Sequence, residues 1–174
     1  MSNLSGNLSS RYNQLGEVDD LNEAIVLDRE ALSLCPPGHP DRSVCLNNLV
    51  AVLSFRYNQL GGIDNLNEAT VLIREVPSLL QLGHPHCSTF LHNLGILLSS
   101  RYKQLGGIDD LNEAITLNQE ALLLRPPGHP NHSMSLISLA LDLSSRYTQL
   151  GGIDDLSQAI FLNQEALTSP TWSP

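Results

Sequence analysis

One phrase recurs along this chain at a fixed interval, and it limits the possible folds more than any other feature. Arg101-Tyr-Lys-Gln-Leu-Gly-Gly-Ile-Asp-Asp-Leu-Asn-Glu-Ala-Ile115 has counterparts starting at Arg11, Arg56 and Arg146, each 45 residues from the next. A period this regular over the whole length predicts stacked supersecondary units, each too small to bury its own apolar face.

Within the period, apolar residues fall at helical spacing. Leu46, Leu49, Val50, Leu53 and Tyr57 stand at i, i+3, i+4, i+7 and i+11, which places them on one helix stripe. The same stripe recurs as Leu91, Leu94, Gly95, Leu98, Tyr102 and as Leu136, Leu139, Ala140, Leu143, Tyr147. These define A helices over residues 43–57, 88–102 and 133–147, with a truncated copy at 1–12 that keeps Leu4, Leu8 and Tyr12. The small residues Gly95 and Ala140 predict close approach of a neighbouring helix.

Each A helix is expected to stop at a Leu-Gly turn, where glycine supplies the positive φ that ends a helix. A B helix follows at once and runs to about Leu34, Leu79, Leu124 or Leu167. Its start reads as a capping box, with Asp20, Asn65, Asp110 and Asp155 as caps three residues before Glu23, Glu68, Glu113 and Gln158. Pro36-Pro-Gly-His-Pro40 and Pro126-Pro-Gly-His-Pro130 turn the chain into the next A helix. In the second repeat Pro77 stands where the others have Leu32 and Leu122, so that B helix should kink or end early. The resulting domain plan is one array over 1–169, divided as 1–35, 36–80, 81–125 and 126–169, with a proline-containing tail at 170–174.

The helix pairs resemble the tetratricopeptide repeat (TPR), whose signature is W-x2-L-G-x2-Y, then A-x3-F, then P. Leu46, Leu49, Val50 and Leu53 occupy the first four positions, as do Leu91, Leu94, Gly95 and Leu98. Ala24, Ala69, Ala114 and Ala159 match the alanine, and Pro36 and Pro126 match the proline. Asp28, Asn118 and Asn163 depart from the motif by standing at its phenylalanine position. The 45-residue period exceeds the usual period of about 34, with the extra residues in turns, so helix phase is kept. That is similar to the long-period kinesin light chain type and to fungal arrays that often accompany a CHAT peptidase-like domain. The resemblance implies an all-α fold, an α-solenoid of antiparallel helix pairs wound as a right-handed superhelix. It implies a non-catalytic scaffold that binds a peptide or a helix in a concave groove, or alternatively the regulatory arm of a larger CHAT-type effector. The groove is expected on the flank of the A helices, at Asn47, Ala51, Ser54, His92, Ile96, Ser99, Ile137, Leu141 and Ser144. No A helix supplies a lysine along that flank, so the lysine-dependent carboxylate grip of the chaperone-binding members is not expected.

Eighteen acidic against nine basic residues give a formal charge of -9, which disfavours nucleic acid and anionic membrane as partners. No apolar run approaches the roughly 18 residues of a membrane span, and the N-terminus reads as no secretory signal, so the expected setting is cytoplasmic. Cys35, Cys45 and Cys87 form no C-x-x-C pair and read as reduced thiols, although Cys35 and Cys45 flank one turn. His39, His84 and His129 occur once per repeat, too far apart to share an ion, and read as turn residues. Each Arg-Tyr arginine lies near the end of its A helix, where it is expected to pair with the aspartates across the turn, the alternative being a row of regularly spaced cations for an acidic partner. No G-x-S-x-G elbow or convergent Ser, His and Asp set is present, and neither cofactor nor metal is expected. A small enzyme or metal protein stands as the alternative class, which a tightly bound ion or cofactor would support. The expected partner is a protein or peptide, together with self-association through uncapped apolar ends.

Overall fold

The computed structural model describes residues 2–76 and 87–168. Among these residues it has eight α-helices and no strand. The chain divides into two compact units, Met1–Leu82 and Gly83–Pro174. Unit 1 holds α1 (Ser2–Leu15), α2 (Val18–Ser33), α3 (Arg42–Leu60) and α4 (Ile63–Ile73). Unit 2 holds α5 (Cys87–Leu105), α6 (Ile108–Leu123), α7 (His132–Leu150) and α8 (Ile153–Thr168). In each unit consecutive helices pack as pairs, and the second helix packs against the third.

The apolar stripes are what the helices bury. In unit 2, Leu111, Ile115, Leu136, Leu139, Ala140, Leu143, Ala159 and Leu162 form one core cluster, with Tyr102 and Leu122 against it. In unit 1, Leu21, Leu46, Leu53 and Leu66 are fully buried, and Tyr12 meets Phe55 edge-on with ring centroids 5.8 Å apart. Each fully buried leucine contributes about 1.5–3 kcal/mol relative to exposure, so the stripe dominates the favourable side of folding. The motif alanines Ala24, Ala69, Ala114 and Ala159 are 0–1% exposed, because the paired helices cross closely there.

The A helices run three residues beyond the expected stripe, through Gln-Leu to the glycine. Gly61 and its counterparts Gly16, Gly106 and Gly151 have φ of 74–77° and donate to the tyrosine carbonyl four residues back at 2.7 Å. A side chain at that φ is strained, which fixes glycine as the stop.

The start of the B helices corrects the capping expectation. The N-cap residues of α2, α4 and α6 are Glu17, Gly62 and Gly107, none with a side-chain capping bond. Asp20, Asn65, Asp110 and Asp155 lie in the first turn and face the arginine nine residues earlier. Arg146 Nε and Nη2 each donate to Asp155 at 2.7 Å, and Arg101 Nε donates to Asp110 Oδ2 at 2.6 Å. Arg11 and Asp20 make the same two-pronged pair, while Arg56 reaches the neutral Asn65 at 2.9 Å. Two charge-assisted bonds outweigh one bond to a neutral helix amide, so the arginine takes the carboxylate. The Arg146 hydrogen bond and its charge hold Asp155 below the usual carboxylate range.

α4 ends at Ile73, with 11 residues against 16 in α2, α6 and α8. Its early end agrees with the sequence: were the helix to continue, a proline ring at position 77 would meet the carbonyl four residues back, that of Ile73. Residues 77–86, with Pro77, His84 and Pro85, and residues 169–174, with Trp172, lie outside the described residues.

Candidate functional site

Unit 1 carries a cleft of about 260 Å³ between α1 and α3, floored by α2. Ser5 and Ser9, one turn apart on α1, form one wall; Asn48, Val52 and Phe55 on α3 form the other. Asp28 lies at the base and is 2% exposed. Its Oδ2 accepts the Ser5 hydroxyl at 2.7 Å. Burial pushes this carboxyl up from its ordinary range, and the Ser5 bond offsets only part of that. A buried carboxylate beneath hydroxyls and an amide favours a cationic group brought in by a ligand, since a counter-charge restores what desolvation costs.

The matching place in unit 2 is closed. Asn118, two repeat lengths after Asp28, donates from Nδ2 to Asp142 Oδ2 at 2.8 Å, and Ser99 Oγ lies 2.7 Å from Asp142 Oδ1. His92 Nδ1 is 3.2 Å from Asn118 Oδ1. Because the Asn118 amide nitrogen serves Asp142, its oxygen is the acceptor and His92 carries its proton on Nδ1. His92, Ser99, Asn118 and Asp142 are all buried. Burial, with the nearby Arg125 charge, lowers the His92 pKa, and burial raises that of Asp142. A Cβ on Gly95 would come within 2.9 Å of Asn118 Oδ1, so the small residue is required by this contact. In unit 1 the residue matching Asp142 is Val52 and the one matching Gly95 is Ser5, so the network cannot form and the space stays open.

Of the nine expected groove residues, Ala51 lines the unit 1 cleft. Asn47 and Ser54 are half-buried, with Ser54 Oγ donating to the Val50 carbonyl at 2.6 Å. Ile96, Ile137 and Leu141 are exposed in unit 2, Ser144 is half-buried, and His92 and Ser99 are interior groups of the polar network rather than groove surface. Sequence reasoning missed Ser5, Ser9, Asp28 and Asn48. The available signal was Asp28 itself, an acid where the motif places an aromatic ring.

Two other sets of expected residues have clear structural work. His39 and His129 each accept, at Nδ1, the backbone N–H two residues on at 3.1 Å, inside turns closed by bonds of 2.9 Å to Pro36 and Pro126. Among the described residues no group of three or more His, Cys, Asp or Glu is placed to hold a metal ion. The Cys35 and Cys45 sulfurs lie 3.0 Å apart. Burial, the hydrogen bond to Cys35 and that sulfur's charge push Cys45 up to about 11.

No protein-family model matches the chain, and no curated protein matches it in sequence. Solved structures do match. The nearly identical TPR-like repeats of a Podosopora anserina protein described as a kinesin light chain superpose with a TM-score of 0.65 at 20% identity. That match covers 99% of this chain and 80% of that one. A single-substitution variant of those repeats gives 0.66 at 20% identity, over 99% of this chain and 79% of that one. The DHF58 filament gives 0.55 at 17% identity, over 95% and 89%. Helices repeating every 45 residues from Val18, Ile63, Ile108 and Ile153, paired with those from Arg42, Cys87 and His132, thus give the chain a TPR-like all-α repeat fold.

Proposed function

We propose that the chain is a non-catalytic protein-interaction scaffold whose unit 1 cleft receives an extended peptide, with a lysine or arginine side chain seated against Asp28. The observation that carries this reading is the buried Asp28 carboxylate at the base of an open cleft, where unit 2 closes the same position with its own side chains. The TPR-like fold and the acidic net charge support a basic protein or peptide partner. A cytoplasmic setting belongs to the same proposal; no helix among the described residues is long and apolar enough to cross a membrane.

Selection of a random peptide display library on the immobilised protein tests it. The expected binders are enriched in lysine or arginine and bind Asp28→Asn at least about thirtyfold more weakly, since removing one partner of a buried charge pair costs about 2–5 kcal/mol. Binders without basic residues, or binders indifferent to Asp28→Asn, would overturn the reading.

A second surface supports self-association. Ile160 and Leu167 on α8 are 50% and 87% exposed, whereas Ile115 and Leu122, one repeat before them, pack in and against the cluster that includes the α7 leucines. An A-type helix of a second copy fits this face. Sedimentation should show a concentration-dependent dimer that Ile160→Glu abolishes; a monomer at all concentrations contradicts it.

A further inference from the structure

We infer that Cys35 and Cys45 form a reversible intramolecular disulfide that staples the turn between α2 and α3. Their sulfurs are already 3.0 Å apart, within about 1 Å of bonding distance. Unit 2 shows that the position is one where the fold joins two helix ends. There Arg125 and Ser135, two repeat lengths on, are linked by a 2.8 Å hydrogen bond. The backbone turn is the same in both units: the His39 and His129 amides donate to the Pro36 and Pro126 carbonyls at 2.9 Å. The residue that follows also plays the same part. Arg42 donates to the Cys35 carbonyl at 2.7 Å, and His132 meets the Arg125 carbonyl at 2.6 Å. The turn therefore holds its shape without a covalent bond, and unit 1 places two thiols where unit 2 places a guanidinium and a hydroxyl.

Cys45 is half-buried and Cys35 is 8% exposed, so a reagent enters at Cys45. The oxidant class is a small-molecule disulfide such as oxidised glutathione. The Cys45 thiolate attacks one of its sulfurs and releases one glutathione thiolate, giving a mixed disulfide. Cys35, as thiolate, then attacks the Cys45 sulfur and expels the second. The protein loses two electrons and two protons, and the reagent becomes two thiols. With Cys45 pushed up to about 11, its thiolate is scarce at neutral pH and the first step is slow, while the second is intramolecular.

The test incubates the reduced, folded chain in glutathione buffers of increasing oxidised fraction, blocks remaining thiols with N-ethylmaleimide, and maps peptides by mass spectrometry. The expected product is one peptide pair joined through Cys35 and Cys45, reversed by dithiothreitol, in a buffer where Cys87 is still alkylated. In urea the oxidised chain should favour folded unit 1 by about a hundredfold more than the reduced chain, as a loop of about ten residues predicts. Cys45→Ser, which copies Ser135, should fold and lose both effects. Full alkylation of Cys35 and Cys45 in strongly oxidising buffer, a stable glutathione adduct on Cys45, or a link to Cys87 would overturn the assignment.

Discussion

Gly95→Ala should destabilise unit 2, against the usual effect of that substitution inside a helix. At an unconstrained helical position the change gains about 1 kcal/mol, because glycine loses more backbone entropy on folding. At Gly95 the new Cβ would stand 2.9 Å from Asn118 Oδ1 and 3.0 Å from Cγ and Nδ2. Asn118 is 1% exposed and bonded on both sides, to His92 and Asp142, so it is no flexible end that swings aside. Displacing it costs about 1–3 kcal/mol in overpacking. Weakening a hydrogen bond to a buried charged group adds about 1.5–3 kcal/mol. Less the helix gain, the net loss is about 1.5–5 kcal/mol. Urea unfolding followed by circular dichroism at 222 nm measures it, with Gly6→Ala as the comparison. Gly6 lies within α1, and a Cβ there meets nothing within 4 Å, so its midpoint should rise. Combining Gly95→Ala with Asn118→Ala should cost at least about 1 kcal/mol less than the sum of the single changes. A midpoint for Gly95→Ala that rises with that of Gly6→Ala would mean that Asn118 yields to the methyl group, and the predicted penalty would be wrong.

Three further outcomes follow from the charges and the helix ends. Burial raises the folded-state pKa of Asp142, so its contribution is fully favourable below the ordinary value of about 3.9 and is lost as pH rises through the raised one. The stability of Asp142→Asn relative to the parent should therefore increase from pH 4 to pH 7, and a constant gap in urea midpoints would contradict this. Asp155 is shifted the other way by Arg146; Arg146→Met should cost about 0.5–1 kcal/mol at pH 7, a cost that disappears as pH falls through the lowered Asp155 value. Pro77→Leu should extend α4 beyond Ile73 and slow amide exchange at its C-terminal turn toward that of α6; unchanged exchange would show that something other than proline ends the helix.

The elements that could be read from the chain are those set by local chemistry and repeated in phase. The leucine stripe, the Leu-Gly stop and the proline at position 77 each act within one turn of helix, and the structure keeps the stripe, the stop and the early end of α4. The role of Asp110 was not readable in the same way, since a first-turn aspartate and a capping aspartate differ by three residues and share a composition. What decides between them is Arg101, brought within 2.6 Å by the tight Gly-Gly turn. His92 and Ser99 have the spacing of a groove flank. They are interior because Asn118 and Asp142, on two other helices, draw them into hydrogen bonds that no single-helix pattern contains. The Asp28 cleft is likewise tertiary: it exists because α1 supplies Ser5, and α3 supplies Val52, at the positions where unit 2 has Gly95 and Asp142. The Cys35 and Cys45 contact was readable as proximity across one turn, and its distance only from coordinates.

The scaffold reading is tested most directly by titrating isotope-labelled protein with a lysine- or arginine-containing peptide selected on it, and mapping amide shifts by NMR. The largest saturable shifts are expected at Ser5, Ser9, Asn48 and Phe55, and they should vanish in Asp28→Asn while the rest of the spectrum is unchanged. Saturable binding with shifts concentrated away from these residues, or shifts that persist in Asp28→Asn, would contradict a basic side chain seated in the cleft.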